Sequence, residues 1–261
     1  MAAPFAAGWA RLPRGQKARV RPLQGSDEKG RAGAMDGTSL VRRCVIVGAS
    51  PDTVLPAGFG EVAAGAFVVA ADGGYSFCLA AGVAPDLLVA DYDSLARPSV
   101  DEAATAVLEL PQAKDDTDLL AACREGLAHG CTGFSIYGCL GGDVGHAVAA
   151  VQALAFLREH GARGRLLGTS QLVYLVAPDD GLDAVRTIDA CGCLVDAPCG
   201  TRVGVFSFSA QAKGVVERGL AWELEDATLE AAFPLGASNE VRKPGACIGV
   251  REGLLLVVVG G

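Results

Sequence analysis

From residue 43 to about 165, short apolar runs alternate with stretches in which apolar residues recur every three or four positions. CVIVG (44–48), FVVAADGG (67–74), DLLVADYDS (86–94), VLELP (107–111) and FSIYG (134–138) are brief and open on runs of Val, Leu, Ile and Ala. That is the texture of strands buried on both faces. Between them, SFCLAAG (76–82) reads as a helix. DDTDLLAACREGLAHG (115–130) sets Leu119, Leu120, Ala122, Cys123 and Leu127 at helical spacing, with Asp115 or Asp116 as its expected cap. GGDVGHAVAAVQALAFLREHG (141–161) lines up Val144, Ala147, Val148, Val151, Leu154, Ala155 and Leu157 on one stripe, and both helices close on glycine. Alternating strands and amphipathic helices predict a parallel sheet covered on both faces.

Beyond residue 165 the period changes. RLLGTS, QLVYLVAP, GCLVDAPC, RVGVFSFSA, GVVERGLAWELE, ACIGVRE and GLLLVVV are short strand-like runs separated by Gly- and Pro-bearing turns. Glu252-Gly253, between two apolar runs, reads as a hairpin turn, and DATLEAAF (226–233) is ambiguous between helix and strand. The expected fold is α/β: an N-terminal parallel-sheet α/β domain over residues 43–165, and a C-terminal all-β sandwich or barrel over 166–261. Residues 1–42 carry no sustained period and are expected to form a disordered basic extension, with Met35 a candidate start.

Composition narrows the function. The first 43 residues hold nine Lys/Arg against three Asp/Glu, and the remainder 13 against 27. An acidic body disfavours nonspecific nucleic-acid binding, which needs cations to neutralise phosphates, and suits a site holding a divalent metal. No apolar run approaches the roughly 20 residues of a membrane-spanning helix. Nine scattered cysteines, most inside apolar stretches, fit reduced thiols and a cytoplasmic protein. Cys191, Cys193 and Cys199 lack the CxxC pair or the histidine that a zinc site would bring.

In open parallel sheets, ligands bind at the carboxyl ends of the strands. Those positions here carry Asp72, then Asp91 and Asp93, then Asp115, Asp116 and Asp118. Residues two apart in an extended segment point the same way, so Asp91 and Asp93 can share a target. Clustered carboxylates repel unless a cation lies between them, and Mg2+ with phosphate oxygens is the natural occupant. A single aspartate at such a place is as readily a helix cap; several at one sheet edge favour a metal–phosphate site. Gly73-Gly74 and Gly141-Gly142 each precede a helix and would let phosphate oxygens approach its amides. His146, just after the second pair, is divided between packing and phosphate contact. Neither a P-loop nor a GxGxxG fingerprint occurs. An exposed Trp222 could stack on a flat cationic heterocycle, although a strand tryptophan also suits a core.

Taken in order, ADGGYSFCLAAGVAPDLLVADYDSL (71–95), KDDTDLLAA (114–122), GCLGGDVGHAVAAVQAL (138–154), RGLAWELE (218–225) and SNE (238–240) resemble the thiamine pyrophosphokinase family, over about residues 43–259. The resemblance implies transfer of diphosphate from ATP to the hydroxyl of thiamine, giving thiamine diphosphate and AMP. It implies a homodimer with active sites between subunits, and Asp72, Asp91, Asp93 and Asp118 on Mg2+ and the ATP phosphates, with Lys114 nearby. Trp222 would stack on thiamine, and Ser238 and Asn239 would hold its polar atoms. The chain departs from the family pattern at GGRxDH, which here reads GGDVGH. Asp143 stands in place of arginine and Gly145 in place of aspartate, so a replacement cation would be sought at Arg202 or Arg242. These departures motivate two alternatives: a pyrophosphokinase for another heterocyclic alcohol such as a pterin, and a non-catalytic nucleotide- or thiamine-binding relative.

Overall fold

A computed structural model describes residues 42–91, 100–101, 104–111, 117–188 and 194–260. Six short strands, β1 (Arg43–Val47), β2 (Phe67–Ala71), β3 (Leu87–Ala90), β4 (Ala106–Glu109), β5 (Gly133–Tyr137) and β6 (Arg163–Leu167), pair in parallel in the order β6-β5-β1-β2-β3-β4. Four helices connect or flank them: α1 (Phe59–Ala63), α2 (Gly74–Ala80), α3 (Asp118–Ala128) and α4 (Val144–Glu159). Every strand of the first sequence pattern, and the helices at 76–82, 115–130 and 141–161, therefore have counterparts. The cap of α3 does not fall where the sequence placed it. Thr117 is extended and its Oγ1 accepts the Leu120 amide at 3.1 Å, which makes it the N-cap. Asp115 and Asp116 lie outside the described residues, as do Asp93, Lys114, Cys191 and Cys193.

RLLGTS, expected among the C-terminal strands, instead ends β6, which pairs in parallel with β5, and the sheet does not stop at β6. The next strand, β7 (Gln171–Val176), turns back antiparallel to it. The rest of the chain supplies β8 (Leu182–Ala184), β9 (Arg186–Ile188), β10 (Leu194–Asp196), β11 (Arg202–Ser207), β12 (Gln211–Arg218), β13 (Leu224–Glu230), β14 (Gly236–Glu240), β15 (Cys247–Gly249) and β16 (Leu255–Gly260). Of these, β16, β11 and β14 continue the large sheet to ten strands, while β13-β12-β15-β8 form a separate antiparallel sheet and β9-β10 a small ribbon. The fold is thus α/β with a separate antiparallel region. One sheet runs without a break through the 165/166 point at which the sequence pattern changes. The ambiguous segment at 226–233 is mostly strand β13. Glu252-Gly253 is not a hairpin turn: β15 pairs with β12 and β8, and β16 with β11 and β7, so the segment crosses from one sheet to the other.

Alternation along the strands sorts the core into two layers. Ile46, Val69, Leu87, Val89, Ile136 and Leu166 face α3 and α4, packing on Ala122, Cys123, Leu154 and Leu157. Val45, Val47, Val68, Ala70 and Leu88 face the other side, against Phe59 of α1 and Tyr75 and Cys78 of α2. Further along, the same face carries Leu172, Tyr174, Val205 and Val257, which pack on Val215, Leu229 and Ile248 of the small sheet. This second half is a β-sandwich sharing one sheet with the α/β half. Among the described residues no helix is long and apolar enough to cross a membrane. The seven cysteines among them, Cys44, Cys78, Cys123, Cys131, Cys139, Cys199 and Cys247, are free thiols, and burial pushes those of Cys78, Cys123 and Cys139 up to about 12.

Candidate active site

Strand order reverses at β1: the chain proceeds to β2 on one side and returns to β5 on the other. At such a switch point the loops after the two strands diverge and leave a crevice at their carboxyl ends. A cavity of about 510 Å3 occupies that crevice. It is walled by the turn after β1 (Gly48, Ala49, Ser50, Pro51), by Asp72 after β2, Asp91 after β3, and Gly138 and Cys139 after β5. The first turn of α3 adds Thr117 and Asp118, and the start of α4 adds Gly141, Asp143 and His146. The turn after β1 was no candidate in the sequence, although its GASP composition is that of a tight strand-to-loop corner. Ser50 fixes it by donating its hydroxyl to the Leu140 carbonyl at 2.7 Å, which joins the β1 and β5 corners.

Three of the four predicted catalytic carboxylates, Asp72, Asp91 and Asp118, line this one cavity; Asp93, the fourth, lies outside the described residues. Asp72 has φ of +48°, a left-handed conformation that aspartate tolerates better than most residues. Its amide donates to the Val89 carbonyl at 2.8 Å, so the turn is pinned to β3. Asp118 is the first helical residue of α3 and half-buried. Among the described residues no three His, Cys, Asp or Glu side chains form a ready-made metal cage. The donor chemistry still fits a hard dication: Mg2+ is commonly held by one or two carboxylates, with substrate phosphates and water completing its shell.

The glycines divide by role. Gly141, at φ of +94°, lines the cavity; Gly142, at +67°, Gly73 and Gly74 do not. Gly74 is dictated by packing: a Cβ there would sit 1.8 Å from the Val47 carbonyl oxygen of β1. Backbone cannot yield as a side-chain end can, so Gly74→Ala should cost at least about 2–3 kcal/mol. The expected observation is a lowered urea midpoint at unchanged m-value.

Asp143, where the family pattern has arginine, is the N-cap of α4. Its Oδ1 accepts the His146 amide at 3.0 Å, and its backbone is extended as a cap requires. His146 is exposed on the cavity wall, so the wall carries four carboxylates and one imidazole and, among the described lining residues, no Lys or Arg. Arg202 begins β11, and Arg242 pairs with Glu240 at 3.1 Å; neither lines the cavity.

The other predicted substrate residues lie in the sandwich. Trp222 is 67% exposed in the turn between β12 and β13, and Ser238 is exposed on β14. Asn239 is buried beside them. None of the three lines the acidic cavity of its own chain. Beneath them Glu217, 1% exposed, accepts a 2.8 Å hydrogen bond from Asn239 Nδ2, and burial pushes its carboxyl up to about 7. Sequence reasoning missed Glu217 because a lone acid in GVVERG gives no sign of pointing inward.

The site is thus an acidic crevice at the switch point of an α/β sheet, the place where such sheets bind ligands, and the sheet is extended by a β-sandwich that presents an exposed aromatic ring. Residues 61–164 match the thiamin pyrophosphokinase catalytic domain, and residues 194–255 match the thiamin pyrophosphokinase vitamin B1 binding domain. The two matches together take in well over half of the chain, and it belongs to the thiamin pyrophosphokinase family. No curated protein sequence matches it. Among solved structures, the fold is similar to the thiamine pyrophosphokinase of Bacillus subtilis, with a TM-score of 0.71 at 19% identity over 84% of this chain and 99% of that one. The enzyme from Geobacillus thermodenitrificans gives 0.67 at 21% over 84% and 97%, and that from Candida albicans 0.66 at 12% over 85% and 90%.

Proposed function

We propose that the crevice at the β1/β5 switch point binds ATP with a divalent cation, and that the exposed face around Trp222 binds thiamine. As a member of its family the chain is a thiamine diphosphokinase, transferring diphosphate from ATP to thiamine. In the balanced reaction the thiamine hydroxyl oxygen forms a bond to the β-phosphorus of ATP. The bond from that phosphorus to the oxygen bridging it to the α-phosphorus breaks, AMP leaves with that oxygen, and the hydroxyl proton passes to water. Such a transfer asks the protein chiefly for alignment and for compensation of phosphate charge.

The observation that carries this reading is the convergence of Asp72, Asp91 and Asp118 on one crevice at the strand ends. Those three, with Asp93, would hold Mg2+, which supplies positive charge to the transferring phosphoryl oxygens. Asp72, in its strained turn, and Asp118, at the start of α3, fix where the metal-bound phosphates lie. Gly141 leaves room beside the corner after β5, and His146 would contribute a donor at the start of α4; Lys114, outside the described residues, would supply a cation to the phosphates. Gly74 serves by letting α2 dock tightly, which places Asp72.

Thiamine carries a cationic thiazolium beside a flat pyrimidine, a fitting partner for an exposed indole. Trp222 would stack on it, with Ser238 offering a hydroxyl from the neighbouring strand. Because these residues do not line the cavity of their own chain, the reading includes a homodimer in which one subunit's crevice faces its partner's sandwich. Exposed Phe233 and Leu235 near the same strands suit a covered surface. A cytosolic setting fits the free thiols. The test is turnover: with ATP, Mg2+ and thiamine, AMP and thiamine diphosphate should appear in equal amounts. A pterin alcohol accepted in preference to thiamine, or ADP as the nucleotide product, would overturn it.

A further inference from the structure

The turn that presents Trp222 is clamped from below by a single amide. Asn239 Oδ1 accepts the backbone N–H of Trp222 at 3.1 Å and that of Glu240 at 2.9 Å. Its Nδ2 donates to the Trp222 carbonyl at 2.8 Å and to Glu217 Oε2 at 2.8 Å. A primary amide has two donor hydrogens and two acceptor sites, and all four are engaged. The orientation is also fixed, since a flipped amide would set its NH2 against two N–H donors. One side chain thus holds both backbone polar groups of Trp222, on a strand of the large sheet, while its remaining donor reaches across the sandwich to Glu217 on β12. Backbone bonds from Ala221 N to Glu240 O, the last residue of β14, and from Arg242 N, two residues beyond it, to Gly219 O attach the rest of the turn to this segment.

Glu217 is an expensive residue to keep at this position. Its side chain is buried between the sheets, and Oε1 has no hydrogen-bond partner among the described residues. A hydrophobic residue of similar volume would fill the space without that desolvation cost. What the carboxyl contributes is an acceptor for the one Asn239 donor that nothing in the turn can satisfy.

We propose that Glu217 and Asn239 are positioning residues for the Trp222 platform: Asn239 acts through Trp222 and not by touching thiamine, and Glu217 locks the Asn239 amide in its clamping orientation. The inference rests on the reading that Trp222 receives thiamine, but it makes a separate statement about the empty turn. An Asn239 that bonded substrate directly would have to surrender one of four internal bonds.

Trp9 is the chain's other tryptophan, so Trp9→Phe leaves Trp222 as the single indole reporter. In that background, thiamine should quench Trp222 emission saturably. Absence of quenching, together with an unchanged thiamine KM in Trp222→Ala, would overturn the stacking reading alone. The clamp is read without ligand, by fluorescence anisotropy. Glu217→Leu and Asn239→Ala should lower Trp222 anisotropy and raise the KM for thiamine by about tenfold, with kcat and the KM for ATP within about twofold. Glu217→Gln, which still accepts from Nδ2, should restore both. A double variant should be no worse than Asn239→Ala alone, because the two residues act in series. Glu217→Leu that folds with parental anisotropy and thiamine KM would overturn the inference. So would Asn239→Ala that raises thiamine KM while anisotropy stays parental, the signature of direct contact. Should Glu217→Leu not fold, Glu217→Asp, which withdraws the carboxyl by one methylene, is read in its place with the same two outcomes.

Discussion

Replacing Asp91 or Asp118 by asparagine is expected to lower kcat by about 10²- to 10³-fold while leaving the folded protein intact. Each side chain lines the crevice at the end of a different element, β3 or α3, so neither substitution disturbs a shared core. Asparagine keeps the shape and loses the charge. The charge matters because phosphoryl transfer is helped mainly by positioning and electrostatic compensation, and removing one charged element of such a site typically costs that order of magnitude. Steady-state assays over a Mg2+ series, beside thermal melts that confirm folding of each variant, check this. Full turnover in Asp91→Asn and Asp118→Asn would sink the assignment.

The second large effect is at Trp222. Trp222→Ala should raise the KM for thiamine by about tenfold or more with little change in the KM for ATP, and Trp222→Phe should recover part of the loss. The indole is mostly exposed and not part of the core, so truncation removes a stacking surface and leaves little cavity behind. Stacking plus cation–π attraction at a partly desolvated site is worth about 1–2 kcal/mol, which sets the fold-change. A tryptophan that merely packed would show the reverse pattern, a lower melting temperature with unchanged KM. Mixing Trp222→Ala with Asp118→Asn subunits adds a check on the dimer: if a crevice is completed by its partner's sandwich, heterodimers regain one working site.

How far these conclusions could be read from the chain depends on the range of the signal. The strands CVIVG, FVVAA and LLVA, and helices α3 and α4, declare themselves because burial on both faces, or on one helical stripe, writes a local period. The aspartates at the strand ends were legible for the same reason: once strands are placed, their carboxyl ends follow. Helix α1 was not, since five residues of FGEVA are too few to show a helical period. Pairing is non-local, so nothing in QLVYLVAP or GLLLVVV says that β7 and β16 join the parallel sheet while β15 joins another. Glu252-Gly253 looked like a hairpin because turn chemistry reports a reversal, not which strands it connects. Asp143 stands as a reversed charge in a phosphate motif when compared with the family pattern; in the fold it is also a helix cap. Gly74 shows the converse, a glycine that suggests phosphate contact but exists so that α2 can touch β1. Asn239 was legible as an element of the site, but not Glu217 beneath it, because the cross-sheet hydrogen bond joins residues 22 apart on different sheets.

The central claim is that carboxylates from separate strand ends gather around one hard cation carrying the ATP phosphates. Crystals of the protein with Mn2+ in place of Mg2+ and a non-hydrolysable ATP analogue test it most directly, because anomalous scattering locates the metal independently of the phosphates. The account predicts an anomalous peak in the crevice between β1 and β5, about 2 Å from an oxygen of at least one of Asp72, Asp91 and Asp118 and from phosphate oxygens. A nucleotide bound elsewhere, or a metal in the crevice bound by none of these carboxylates, would contradict it.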